Sequence, residues 1–159
     1  MTGHNIYQLS EEQSAGNSFA VSPLWPLLAL MLVGAWLAWA WFIFNARALS
    51  SPTFRREVIW SVVGLLGSCV LALLILAWAD AGGNEDIMVR RFRYALIGLS
   101  VWKLVVGYRV YMLQSRTVEL YEFYGGRLRN PLMLLLAGFF LRGIVLGGIG
   151  VPFLAMALR

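Results

Sequence analysis

The chain has 159 residues, is 60% hydrophobic and only 13% charged, and has a mean hydropathy of +0.71. This excludes an ordinary soluble domain, which is about one-quarter charged and less apolar, and leaves no room for a separate soluble domain beside the apolar part. The net charge of +5 comes from 13 Lys and Arg against 8 Asp and Glu. Most of the cations flank or enter apolar runs, so lipid headgroups are the expected partner and direct nucleic-acid binding is not expected.

The apolar residues fall into long blocks, the pattern of membrane-spanning helices. The first block follows a polar segment, residues 1–21, which lacks the basic start and short apolar core of a secretory signal. Ser22-Pro23 then offers a capping hydroxyl and a first-turn proline, and the first span is expected over residues 24–45. Trp25 and Trp41 suit its two interfaces, and Trp36 and Trp39 lie deeper. A short loop carries Arg47, Arg55 and Arg56, and Ser51-Pro52 repeats the start signal.

The second span, residues 58–79, carries no charge and is bracketed by Trp60 and Trp78. Gly82-Gly83-Asn84 reads as a turn, and Arg90, Arg91 and Arg93 precede the third span, residues 94–113. With no proline or Gly-Gly between 87 and 124, one helix should leave the bilayer and project to Tyr124, where Gly125-Gly126 ends it. Asn130-Pro131 is the third start. The fourth span, residues 131–158, is rich in glycine, which predicts a kink or close packing in its last part. The expected fold is an all-α membrane domain, residues 22–159, of four spans in an antiparallel bundle.

An even number of spans places both ends of the chain on one side. Arg47, Arg55, Arg56, Arg116, Arg127 and Arg129 lie on the other, against Arg90, Arg91, Arg93 and Arg159. The positive-inside rule then favours both termini outside the cytoplasm. A bacterial inner membrane is the expected location.

Lys103 and Arg142 are the most informative residues. Each lies about 14–16 Å into its span at 1.5 Å per residue, near the middle of a ~30 Å hydrocarbon core. A cation at that depth costs at least a few kcal/mol and normally faces water, a partner or an anion. No Asp or Glu lies inside any span to serve. Lys103 has an escape as an uncharged or snorkelling lysine in a crevice. Arg142 escapes only if residues 132–141 form an interfacial helix and the last span starts near Gly143. Arg109 lies within snorkelling reach of the interface. These three are the candidate partner- or lipid-phosphate-binding residues, and Arg55, Arg56, Arg127 and Arg129 are interfacial candidates.

Gly143 and Gly147 form a GxxxG pair, and Gly64, Ser68 and Ala72 make a similar ridge. Such small residues let helices approach closely, within one chain or between chains. Gly34 with Ala38 makes a weaker ridge. Catalytic chemistry is scarce. His4 stands alone in the polar tail, no metal-ligand spacing occurs, and Cys69 reads as a small buried hydrophobe. No catalytic residue, metal or cofactor is assigned, although a bound phospholipid suits the composition.

The leading expectation is a non-enzymatic subunit of a larger membrane assembly, of the secretion or conjugation type. Its partners would be membrane lipid and either other subunits or further copies of itself, including a polymerising, lipid-associated form. An anion channel or transporter component lined by Lys103 and Arg142 is the second reading. A small lipid-headgroup enzyme using Glu119 and Glu122 is the third.

Overall fold

The computed structural model describes residues 20–80 and 85–159. Most of the 1–21 polar segment and the 82–84 turn therefore lie outside the described residues. The described chain is all-helical. Six helices follow one another: α1 (Leu24–Leu32), α2 (Ala35–Ala48), α3 (Phe54–Asp80), α4 (Glu85–Phe123), α5 (Leu132–Gly147) and α6 (Pro152–Leu158). Two of them, α3 and α4, are long and apolar enough to cross a membrane. At 1.5 Å per residue they measure about 40 and 58 Å, against a ~30 Å hydrocarbon core.

The three serine- or asparagine-proline starts share one geometry. The side-chain oxygen accepts the backbone N–H two residues on: Leu24 to Ser22 Oγ at 3.5 Å, Thr53 to Ser51 Oγ at 3.2 Å, and Leu132 to Asn130 Oδ1 at 3.1 Å. These are side-chain turns that aim the chain into a helix. Proline between them has no N–H to leave unpaired.

α3 and α4 pack as an antiparallel pair. At one end Ser51 meets Thr117 at 3.3 Å. At the other, the Arg91 guanidinium sits 5.3 Å from the Trp78 ring centroid, a cation–π contact. Between them, Gly64 and Gly67 on α3 leave room for indole rings. A Cβ on Gly64 would stand 2.5 Å from Trp39, and one on Gly67 2.5 Å from Trp102. At Gly64 the small-residue ridge of α3 thus receives Trp39 of α2 and Val106 of α4. Ser68, fully buried in the same ridge, donates back to the Gly64 carbonyl at 2.6 Å. α4 ends at Phe123, and Gly125 in the left-handed region (φ +83°) lets Gly126 N–H reach the Tyr121 carbonyl at 2.9 Å. This closure satisfies carbonyls that the helix end would otherwise orphan.

The first apolar block departs from the single span expected over 24–45. It breaks at Val33-Gly34, and Gly34 adopts φ +126°, ψ 168°, a region that is nearly glycine-only. Gly34 is therefore a hinge. The N–H groups of Val33 and Gly34 both donate to the Ala29 carbonyl at 2.9 Å. The chain then reverses: Val21 N–H, before α1, donates to Asn45 Oδ1, at the end of α2, at 3.0 Å. α1 and α2 form a helical hairpin of about 14 and 21 Å arms, with both ends at one level. Trp41, expected at an interface, is instead buried in the core with Trp39 and Phe42, because α2 returns through the protein.

Ala20 packs with Leu49 and Val118, and the Arg129 N–H donates to the Ala20 carbonyl at 2.9 Å. Residue 20 thus sits at the arginine-rich end of the molecule, with Arg47, Arg55, Arg56, Arg116, Arg127 and Arg129. The sequence expectation placed it at the opposite end. It assumed an unbroken first helix, and one hinge glycine reverses the parity.

The last block also departs from one continuous 131–158 span. It breaks between Gly147 and Pro152, where proline cannot extend the preceding helix. α5 packs beside the hairpin, with a Cβ on Gly138 meeting Leu37 at 2.6 Å. α6 comes back against α3, and the Lys103 side chain of α4 reaches it.

Candidate functional site: cations at two helix ends

The breaks converge. Arg142 Nη1 donates to the Leu32 carbonyl at 3.0 Å, at the C-terminus of α1. Lys103, 8% exposed, donates through Nζ to the Met156 carbonyl at 3.3 Å, in the last turn of α6. A Cβ on Gly34 would meet main-chain oxygens of Leu158 and Arg159 at 2.7 and 3.0 Å, so the hinge and the end of α6 touch. Lys103 lies within electrostatic reach of both Arg142 and half-buried Cys69. One layer therefore contains two cations and two helix C-termini.

The physical reason is the orphan carbonyls. The last four C=O groups of a helix lack intrahelical partners, and a C-terminus carries about half a negative charge. Breaking an apolar block creates such ends within it, and Arg142, half-buried, and Lys103, buried, each satisfy one of their carbonyls. The two ends together supply at most about one unit of negative charge, and α6 is short. Two cationic side chains exceed that. No carboxylate pairs with either among the described residues.

The other sequence candidates lie elsewhere. Arg109 is exposed on α4, and Arg55, Arg56, Arg127 and Arg129 are exposed at the arginine-rich end. A Cβ on Gly143 or Gly147 would meet nothing within 4 Å, so this pair makes no close approach within the described chain. Both are exposed, on the helix that carries Arg142. Glu119 and Glu122 are exposed near the C-terminal end of α4. No group of His, Cys, Asp and Glu that could hold a metal ion occurs among the described residues.

Two buried polar clusters escaped the sequence reading. Asn45 Nδ2 donates to Gln114 Oε1 at 3.1 Å, and Gln114 Nε2 donates to the Phe42 carbonyl at 2.7 Å. These bonds tie α2 to α4. Glu57, 1% exposed in the first turn of α3, accepts through Oε1 from Ser51 Oγ and from Thr53 Oγ1 (2.6 Å for the latter). Its Oε2 has no partner among the described residues. The signal for both clusters was present. The expected spans began at 58 and ended at 113, each one residue short of a polar side chain that the helix carries into the core.

Comparison with known protein families, curated proteins and solved structures returns no match to this chain, so any functional assignment has to rest on its own residues.

Proposed function

We propose that this chain is a non-enzymatic subunit of a larger membrane assembly, embedded by α3 and α4 as full crossings and by two broken segments, α1–α2 and α5–α6, that fold back inside the bilayer. This four-segment arrangement replaces a bundle of four straight spans. The observation that carries the reading is the cationic layer. Lys103 and Arg142 meet only carbonyl dipoles among the described residues, which leaves net positive charge at mid-depth, where an acidic group of a neighbour would be drawn in. The open Gly143–Gly147 pair supports it, since a close-approach motif unused within one chain is available to another helix. A secretion- or conjugation-type machine of a bacterial inner membrane is the assembly class proposed, on small size and scarcity of catalytic groups.

In this arrangement the arginine-rich end, carrying Ala20, faces the cytoplasm. Purification in mild detergent tests the proposal: a large species containing other chains or many copies is expected, and a lone monomer overturns it.

One observation favours a second reading. Broken helices that meet at mid-depth are the usual architecture of transporter sites, and fixed cations there would select anions. Anion flux in reconstituted vesicles, lost in Lys103→Met, would establish that role.

A further inference from the structure

α2 and α5 touch where Leu37 meets Gly138. Toward the arginine-rich end a groove of about 680 Å³ opens between them, within the range of ligand-sized sites. Its walls are Leu37, Ala40, Phe44 and Leu134, and Arg47 and Arg129 line it too. From Leu37 to Arg47 is ten residues, or about 15 Å of helix. That is half of a ~30 Å hydrocarbon core, the depth of one leaflet. Phe44 is 71% exposed and Leu134 48%, so the groove faces sideways, where acyl chains are, rather than into the core.

We propose that this groove binds one phospholipid with an anionic headgroup. Its phosphate would lie between Arg47 and Arg129, and an acyl chain would run along Ala40 and Phe44 toward Leu37. Charge complementarity selects the headgroup: Arg47 and Arg129 both line the groove, and a headgroup without the choline cation leaves its phosphate charge uncompensated for them. A neutral zwitterionic lipid fills the same walls but gains less from the arginines. The length of the groove selects a lipid tail over a free phosphate. The inference rests on the membrane placement proposed above but not on the subunit reading.

Native mass spectrometry of the purified full chain in mild detergent tests it, with phosphatidylglycerol and phosphatidylcholine supplied at equal concentration. With each basic residue near a surface worth ~1 kcal/mol toward anionic lipid, the preference for phosphatidylglycerol should be about 30-fold. Arg47→Gln with Arg129→Gln should level the two lipids. Ala40→Trp, filling the groove, should remove both adducts, and Leu134→Trp on the opposite wall serves if the first variant does not elute as folded protein. Equal binding of the two lipids by the natural chain overturns the proposal. So does phosphatidylglycerol preference that survives either tryptophan, or displacement of the lipid by millimolar inorganic phosphate. A monomer that keeps the lipid preference sinks only the subunit reading, and a multi-subunit complex without that preference sinks only this one.

Discussion

Gly34→Ala should damage the molecule out of proportion to one methyl group. The backbone at φ +126° admits side chains only at a cost of ~1–3 kcal/mol. The added Cβ would also stand 2.7 Å from the Leu158 carbonyl oxygen. That neighbour is backbone, so α6 must move, at a further ~1–3 kcal/mol by analogy with overpacked cores. We expect a loss of at least about 2 kcal/mol, near 30-fold in the folded-to-unfolded ratio. Unfolding in mixed detergent reads the stability. A chemical readout reports the mechanism. Lys103 is the only lysine in the chain, and its amine is held against Met156. Displacing α6 should raise its labelling by an amine-reactive reagent, with the modified site mapped by peptide mass. Gly98→Ala is the control, since a Cβ there meets nothing within 4 Å and should gain up to ~1 kcal/mol from helix propensity. If Gly34→Ala matches Gly98→Ala in both stability and labelling, the hinge argument is wrong.

Asn45→Leu should cost ~1–3 kcal/mol by stranding Gln114 and the Val21 N–H, and Asn45→Leu with Gln114→Leu should be clearly non-additive in a double-mutant cycle; simple additivity would mean the pair is uncoupled. Glu57→Leu should destabilise by a similar ~1–3 kcal/mol because Ser51 and Thr53 lose their shared acceptor, whereas Glu57→Gln, which keeps an acceptor oxygen, should be milder; equal unfolding midpoints for the two would remove that role. Gly147→Leu should leave the isolated chain folded but weaken association of chains in mild detergent, and unchanged sedimentation would take this glycine out of any interface. Arg142→Leu should improve membrane insertion of the isolated chain by ~2.5–3.5 kcal/mol on insertion scales yet reduce recovery of the larger assembly, and intact recovery would refute a companion acid at that layer.

Composition and the length of the apolar runs were enough to read helices, and the uninterrupted stretch from 87 to 124 was enough to read one long helix. These are local properties, fixed by hydropathy and by where proline and glycine stand. The placement of Lys103 and Arg142 in neighbouring apolar segments was also legible, since helical rise converts residue number into depth. Their partners were not. A backbone carbonyl has no signature in the sequence, and Leu32 and Met156 became acceptors only because two helices end where no end was expected.

The sequence by itself determined that this is a helical, apolar, cation-bearing chain, because those properties are sums over residues taken one at a time. Only the tertiary structure decided that Gly34 turns the first apolar block back on itself. A glycine in an apolar run is equally a helix residue, a packing notch or a hinge; the backbone at φ +126° makes Gly34 a hinge, and its contact with the end of α6 makes it a notch as well. That choice moves residue 20 to the arginine-rich end and brings the C-terminus of α1 to half-buried Arg142, while the second break sets the end of α6 against buried Lys103.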